Sequence, residues 1–271
     1  MLADIDELTV VASDGPDRLT VWRRPTGAEP FALIQTAGYE VKFGTANSAA
    51  LVTIKGQPYF VTGHENGHVL LWTLARNGTL QFATSFDLRS ANPIPSPYPL
   101  HNIRSLVVWR GDRVISGYED GDIVGLSLPD GRELFRTRFN QTAQRGINNL
   151  SLLGDWLLLS NCSVGQADKN IWLYDLSTGT PLLRDSENLV LDTQRPQVFN
   201  FDAVLVPSKD GPIFFSSTEE GLLWEGKIDG NQLVTTAVTK VASEGGAILR
   251  FDSKAALVAA AAYQIWLFKA Q

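Results

Sequence analysis

One cysteine in 271 residues, Cys162, has no partner within the chain, so no internal disulfide can brace the fold. The first seven residues, Met1 to Glu7, lack both the basic start and the apolar core of a signal peptide. Both features lead us to expect a reducing, cytoplasmic setting. No apolar run approaches the roughly 18 residues that a membrane helix requires; Ala255 to Ala262 is short and alanine-rich. Positive charge is also scarce, with 23 Lys and Arg against 29 Asp and Glu and a net charge of -6. That balance argues against general nucleic-acid binding, which depends on neutralising phosphates.

Catalytic signatures are missing too. The chain has no nucleophile elbow, no phosphate-cradling glycine loop and no zinc spacing. Cys162 has no histidine near it in sequence, which favours a structural thiol over a nucleophile. His64 and His68 are four apart, but across a turn and not along a helix, so a hydrogen-bonded or solvated role is expected for both. No cofactor is expected.

What is abundant is repetition. Val61 to Leu74 joins a short apolar run, an acidic glycine-containing turn and a second apolar run ending in an aromatic residue. Related segments are Val10 to Arg23, Val114 to Leu128, Leu157 to Leu176, Ile213 to Ile228 and Leu257 to Ala270. Their last strands align at Trp22, Trp72, Leu126, Tyr174, Gly226 and Phe268. A spacing of roughly 40 to 50 residues, each unit holding several short strands, is that of a β-propeller. One four-stranded sheet cannot bury both faces alone, whereas sheets stacked radially cover one another. The expectation is an all-β propeller of four-stranded antiparallel blades forming a single domain over residues 1–271. Six blades is the preferred count; seven, or a ring completed by another chain, are the alternatives.

Within a blade the strands are named a to d. The second unit is the most complete, with strands over Ala49 to Ile54, Tyr59 to Thr62, Val69 to Leu74 and Leu80 to Phe86. The first unit shows only Leu8 to Ala12, Leu19 to Arg23 and Phe31 to Thr36. The last unit lacks an outer strand, and Leu2 to Asp6 is the segment expected to supply it. Four prolines between residues 92 and 99 force a loop there. In the c strands, Trp22, Trp72, Trp172, Trp224 and Trp266 are expected to be core packing, since alternate side chains should face two neighbouring sheets.

Thr62 to Leu74, Ser116 to Leu126 and Ile171 to Gly179 resemble the strand–turn–strand segment of WD40-repeat propellers, and Leu128 to Leu134 resembles that family's c-to-d turn. The terminal dipeptide occurs only as Tyr174-Asp175, and the Gly-His pair expected before strand a is absent from its usual place. The family's buried Asp, His, Ser and Trp hydrogen-bond network is therefore expected to be incomplete. The resemblance implies a non-catalytic scaffold that binds a protein or peptide on its top face.

The turns between strands b and c carry Asp14, Asp17, Glu65, Glu119, Asp120, Asp168, Glu219 and Glu220. Asp, Asn and Gly are what tight hairpins ask for, but Glu is not, so the glutamates point to an acidic rim that serves either a basic partner or solubility. Tyr98, His101, Arg104 and Arg145 in the neighbouring loops complete the expected partner-binding set. The alternative function is a hydrolase of the calcium-dependent propeller lactonase type. Its metal would sit in the central channel among Asn102, Asn148 and Asn200, because hard cations prefer oxygen ligands.

Overall fold

The computed structural model describes residues 1–6, 8–91, 101–139, 146–161, 169–191, 198–243, 248–252, 257–261 and 265–269. Twenty-three strands and one short 3-10 turn, Val41–Phe43, make up its regular structure. The chain divides into two compact units, Met1–Phe139 and Asn140–Gln271. Among the described residues no helix is long and apolar enough to cross a membrane.

The first unit holds three four-stranded antiparallel sheets. The first sheet comprises β1 (Leu2–Asp6), β2 (Thr9–Ser13), β3 (Arg18–Arg23) and β4 (Ala32–Gly38). The second comprises β5 (Ala46–Ile54), β6 (Gln57–His64), β7 (His68–Leu74) and β8 (Leu80–Asp87). The third comprises β9 (Ile103–Trp109), β10 (Arg113–Tyr118), β11 (Asp122–Ser127) and β12 (Glu133–Arg138).

In the second unit, the fourth sheet is β13 (Ile147–Leu153), β14 (Trp156–Asn161), β15 (Ile171–Asp175) and β16 (Leu182–Glu187). The fifth is β17 (Asn200–Val206), β18 (Ile213–Thr218), β19 (Leu222–Asp229) and β20 (Gln232–Lys240). The sixth has three strands among the described residues: β21 (Ile248–Asp252), β22 (Leu257–Ala261) and β23 (Ile265–Lys269).

One expectation is corrected here. Leu2–Asp6 does not serve the last sheet: it is the inner strand of the first, with Leu2 opposite Ala12 and Ala3 opposite Val11. A backbone bond from Ser13 N–H to the Met1 carbonyl continues that ladder. The alternation in Leu-Ala-Asp-Ile-Asp is too weak to assign the strand to its own sheet from sequence, and the first sheet is complete without borrowing.

Side-chain alternation gives the middle sheets two apolar faces. In β7, Val69 and Leu71 join one core with Val114, Val124 and Leu126 of the third sheet. Leu70, Trp72 and Leu74 join another with Val11, Leu19 and Val21 of the first. The fifth sheet repeats this: Phe214 and Trp224 pack with Leu158, Ile171 and Leu173, while Phe215 and Leu223 pack with Leu249 and Val258. Trp22 departs from the expected core role, being 37% exposed.

Polar side chains also tie sheet to sheet. Gln35 of β4 makes two bonds to Leu80 of β8, one to its N–H and one to its carbonyl, each 2.7 Å. Ser48 of β5 donates to the Ile103 carbonyl at 2.9 Å. At the equivalent place in the second unit, Asn149 donates to the Ala203 carbonyl at 3.0 Å and to Asp202. Asp202 in turn accepts the Leu249 N–H at 2.9 Å. Burial pushes the Asp202 carboxyl up to about 6, against the pull of the Leu249 N–H and Arg250.

Two glycines separate conformational strain from crowding. Gly221 and Gly230 both have φ in the left-handed region, at +71° and +62°. A Cβ at Gly230 meets nothing, whereas one at Gly221 runs into the backbone of Ala242. Gly230→Ala is expected to cost about 1–2 kcal/mol from conformation alone, and Gly221→Ala to cost more, because backbone must move. Thermal unfolding of the two variants checks this; equal melting temperatures would contradict it.

Candidate interaction surface

Three described b–c turns share one construction. They are Glu65-Asn66-Gly67, Glu119-Asp120-Gly121 and Glu219-Glu220-Gly221, with the glycines at φ 79°, 84° and 71°. In each, the glycine N–H donates to the residue three before it: His64, Tyr118 and Thr218. The first glutamate's N–H donates to the residue just ahead of strand a, namely Thr45, Asn102 and Phe199, at 2.9, 3.0 and 2.8 Å. On the other side the glycine carbonyl accepts from the end of strand d, at Leu88, Phe139 and Val241. Each turn is therefore clamped between both edges of its own sheet, and its glutamate backbone is fixed.

The side chains differ from turn to turn. Glu65 is half-buried and accepts the Thr45 N–H at 3.4 Å. Glu119 is half-buried, lies 3.7 Å from Arg104, and has its carboxyl pushed up by burial. Asp120 turns inward and is buried, so it is no exposed rim carboxylate. Burial and the neighbouring Asp122 raise its carboxyl, while the Asp122 N–H (3.0 Å) and Arg138 (3.4 Å) hold it in place. Asp122 also binds Arg136 at 2.9 Å and Arg138 at 2.7 Å.

Glu219 and Glu220 are half-buried, and Lys240 donates to the Glu220 carbonyl. His101 lies against Gly67, as does Arg89, which brings it beside the Glu65 turn. The first unit thus gathers Glu65, His101, Arg104, Glu119 and Asp120, and the second holds Glu219 and Glu220. Tyr98, Arg145, Asp168, Cys162 and the ring of Trp266 lie outside the described residues.

A β-bulge at the start of strand a recurs in four sheets. Its extra residues are Asn47, Arg104, Asn148 and Phe201. The asparagines expected to face a channel are engaged there. The Asn102 Oδ1 accepts from Asn47 at 2.7 Å, and Asn148 donates to the Asn200 carbonyl at 2.6 Å. Asn200 donates to the Asn170 carbonyl at 3.1 Å, and its Oδ1 accepts from Ser216 at 2.8 Å. Asn102 belongs to the first unit, Asn148 and Asn200 to the second. Among the described residues no group of three or more His, Cys, Asp or Glu side chains could hold a metal ion.

Sequence reading missed a buried polar chain in the second sheet. The Trp72 indole N–H donates to Thr62 Oγ1 at 3.0 Å, Thr62 Oγ1 lies 2.8 Å from His64 Nε2, and His64 Nδ1 lies 3.0 Å from the Gly44 carbonyl. A carbonyl can only accept, so Nδ1 carries the proton and Nε2 accepts from the threonine hydroxyl. The histidine is neutral with one defined tautomer. Burial lowers its pKa to about 4, against the opposing pull of the Gly44 carbonyl. The network expected to be incomplete has here a tryptophan, a threonine and a histidine, and ends on a backbone carbonyl where an aspartate was expected. In the fourth sheet Trp172 donates to Asn161 at 2.9 Å.

Stacked four-stranded antiparallel sheets, with a repeated b–c turn and an indole–hydroxyl–imidazole chain, are the blades of a WD40-like propeller fold. The crystal structure of Saccharomyces cerevisiae Sqt1, a WD40 protein, matches over 93% of this chain with a TM-score of 0.63 and 16% identity. That likeness is one of fold, and the chain spans 65% of the Sqt1 chain. No family model and no curated protein matches the sequence.

The His64 chain makes a prediction about acid. An unfolded imidazole titrates near 6.5 and the folded one near 4, so between those values the unfolded chain binds a proton that the folded chain refuses. The contribution is intact above about pH 6.5 and is lost as pH falls toward 4, by roughly 3 kcal/mol. An NMR titration of the His64 ring is expected to show a midpoint near 4; a midpoint near 6.5 would contradict the buried neutral tautomer.

Proposed function

We propose that this chain is a non-catalytic protein-interaction module that binds a basic protein or peptide segment at the ends of its sheets carrying the b–c turns. The observation that carries this reading is the double clamp on Glu65, Glu119 and Glu219. Turn chemistry requires glycine at the third position and no glutamate at the first, yet the same fixed backbone position holds glutamate in all three. Charge fixed in place steers and selects a partner more than charge on a mobile loop. The WD40-like fold supports the class of function and goes no further.

Arg104, on the extra residue of its bulge, and His101 stand beside the acidic positions, and this mixed edge is where a hot spot would form. Tyr98 and Arg145 are kept as further candidates for contact with the same partner. The reading also takes the chain as one domain over residues 1–271, with six blades, working in the cytoplasm without a cofactor. A single calorimetric unfolding transition is expected for one domain, and two separated transitions would divide it.

The surface is tested by capture from the native cell with the wild-type chain and with Glu65, Glu119, Glu219 and Glu220 changed together to Gln. The expected outcome is a basic partner whose retention falls with added salt and is lost in the Gln variant, with melting temperature within a few degrees of wild type. A partner held equally by both chains at high salt would move the interface elsewhere.

A further inference from the structure

Between the first and second sheets of the first unit lies a cavity of about 440 Å³ lined by Gly38, Tyr39, Glu40, Phe43 and Phe82. That is within the range of roughly 300 to 1,000 Å³ of sites that take small molecules or inserted side chains. Gly38 ends β4 and three more of the lining residues come from the connection between β4 and β5; Phe82 comes from β8, some forty residues later. Three of the five are aromatic.

The walls are held from behind. Phe82 stands edge-on to Trp72 at 5.7 Å between ring centres, and Tyr39 stands edge-on to Trp72 at 6.1 Å and to His64 at 4.8 Å. Trp72 and His64 are the ends of the Thr62 chain, so the rings around the cavity rest on fixed groups. Tyr39 is fixed in addition by its N–H to the Asp17 carbonyl at 2.8 Å and by its hydroxyl to the Gly15 carbonyl at 3.3 Å. Phe82, despite this backing, remains 43% exposed. Phe43 is buried and Tyr39 half-buried, so Phe82 is the wet part of a preorganised wall that a partner can cover at little ordering cost.

The chemistry of the occupant is indicated by a cation already paired with two of the lining residues. The Lys42 ammonium lies 5.0 Å from the centre of the Phe43 ring and 2.9 Å from the Glu40 carboxylate. Both charged side chains are more than half exposed, at 61% and 66%, so the pair is weak and replaceable. An aliphatic or aromatic occupant would strip water from Glu40 without giving it a partner. A cationic one satisfies the carboxylate and the ring faces together. A second carboxylate is near: Glu65 packs against Gly44 and accepts the Thr45 N–H.

We propose that the Tyr39–Phe43–Phe82 cavity receives one lysine or arginine side chain from a basic peptide segment, its methylene stem against the rings and its charge at Glu40, with Lys42 displaced. This deepens the proposed function, on whose acidic surface it rests, by giving that surface a specific anchor.

The test uses the full chain and three fluorescein-labelled peptides: hexalysine, hexaarginine and hexaglutamine, followed by anisotropy. Hexalysine or hexaarginine is expected to bind and hexaglutamine not to; the tighter of the two identifies the preferred cation. Glu40→Gln and Phe82→Ala are each expected to weaken binding about tenfold, and Lys42→Ala to strengthen it severalfold, because the competing internal cation is gone. Glu40 is exposed, so its substitution reads out even if Phe82→Ala does not fold. Binding unchanged by Glu40→Gln and Lys42→Ala overturns the cavity proposal; if it is then lost on changing Glu65, Glu119, Glu219 and Glu220 to Gln, the acidic surface stands without the anchor. Binding that depends on Glu40 and Lys42 but not on those four glutamates supports the cavity and removes the wider surface. No binding of either basic peptide overturns both.

Discussion

A four-stranded sheet with apolar residues on both faces is insoluble by itself, and this constraint organises the whole chain. The alternation along β7 answers it directly: Val69 and Leu71 face one neighbour while Leu70, Trp72 and Leu74 face the other. Burying a large side chain contributes roughly 1.5–3 kcal/mol, so even a short strand clamped on two sides holds firmly. Because each face needs its neighbour, the sheets must be kept in register with one another. Gln35, Ser48, Asn149 and Asp202 do this by reaching across to backbone groups of the next sheet. Backbone ladders hold strands into sheets, and these side chains hold sheets into stacks.

The polar ends of the sheets follow from that clamping. A b–c turn lies between the start of its a strand and the end of its d strand, and it bonds to both. Backbone amides are consumed there, which leaves side chains as the variable element. One turn position can then be acidic and partly exposed, as Glu65 is, while the next residue in another turn, Asp120, is drawn inward by Arg138. The same frame explains Arg104: a bulge supplies one extra residue, and the extra residue is exposed beside Glu119.

Much of the fold was legible because the repeat leaves a periodic trace. Trp22, Trp72, Leu126, Tyr174 and Gly226, aligned from sequence alone, each sit where the pairing of c to d strand shifts by one residue. The second sheet is legible with all four strands: the last two fall one residue short and the first two fall short by three and four. What escaped was non-periodic or non-local. Leu2–Asp6 has too little alternation to be assigned to its own sheet, and nothing near Trp22 in sequence distinguishes it from the buried Trp72. The Trp72–Thr62–His64 chain depends on a histidine from β6 itself, although the resemblance directed attention to the preceding loop. Asp120 carries the same sequence signal as an exposed turn residue; only Arg136 and Arg138, on the following strand, decide that the acidic pair it forms with Asp122 is buried. The aromatic cavity joins residues 39–43 to residue 82, a pairing that no local pattern announces.

The outer strands carry a further consequence. Among the described residues β4, β8, β12, β16 and β20 each pair on one side only, and each contains one extra residue without a ladder partner: Ile34, Ala83, Leu134, Arg184 and Thr236. Some of these edges are greasy, with Leu33 and Ile34 exposed on β4 and Leu182 and Leu183 on β16. A flat edge of that kind is a template for another chain to add to, whereas a bulge interrupts its row of free donors and acceptors and twists it away. Repeated at the same register in all five, the irregularity acts as a guard against fibril-like growth, and it lets the chain keep apolar side chains on these edges without becoming adhesive.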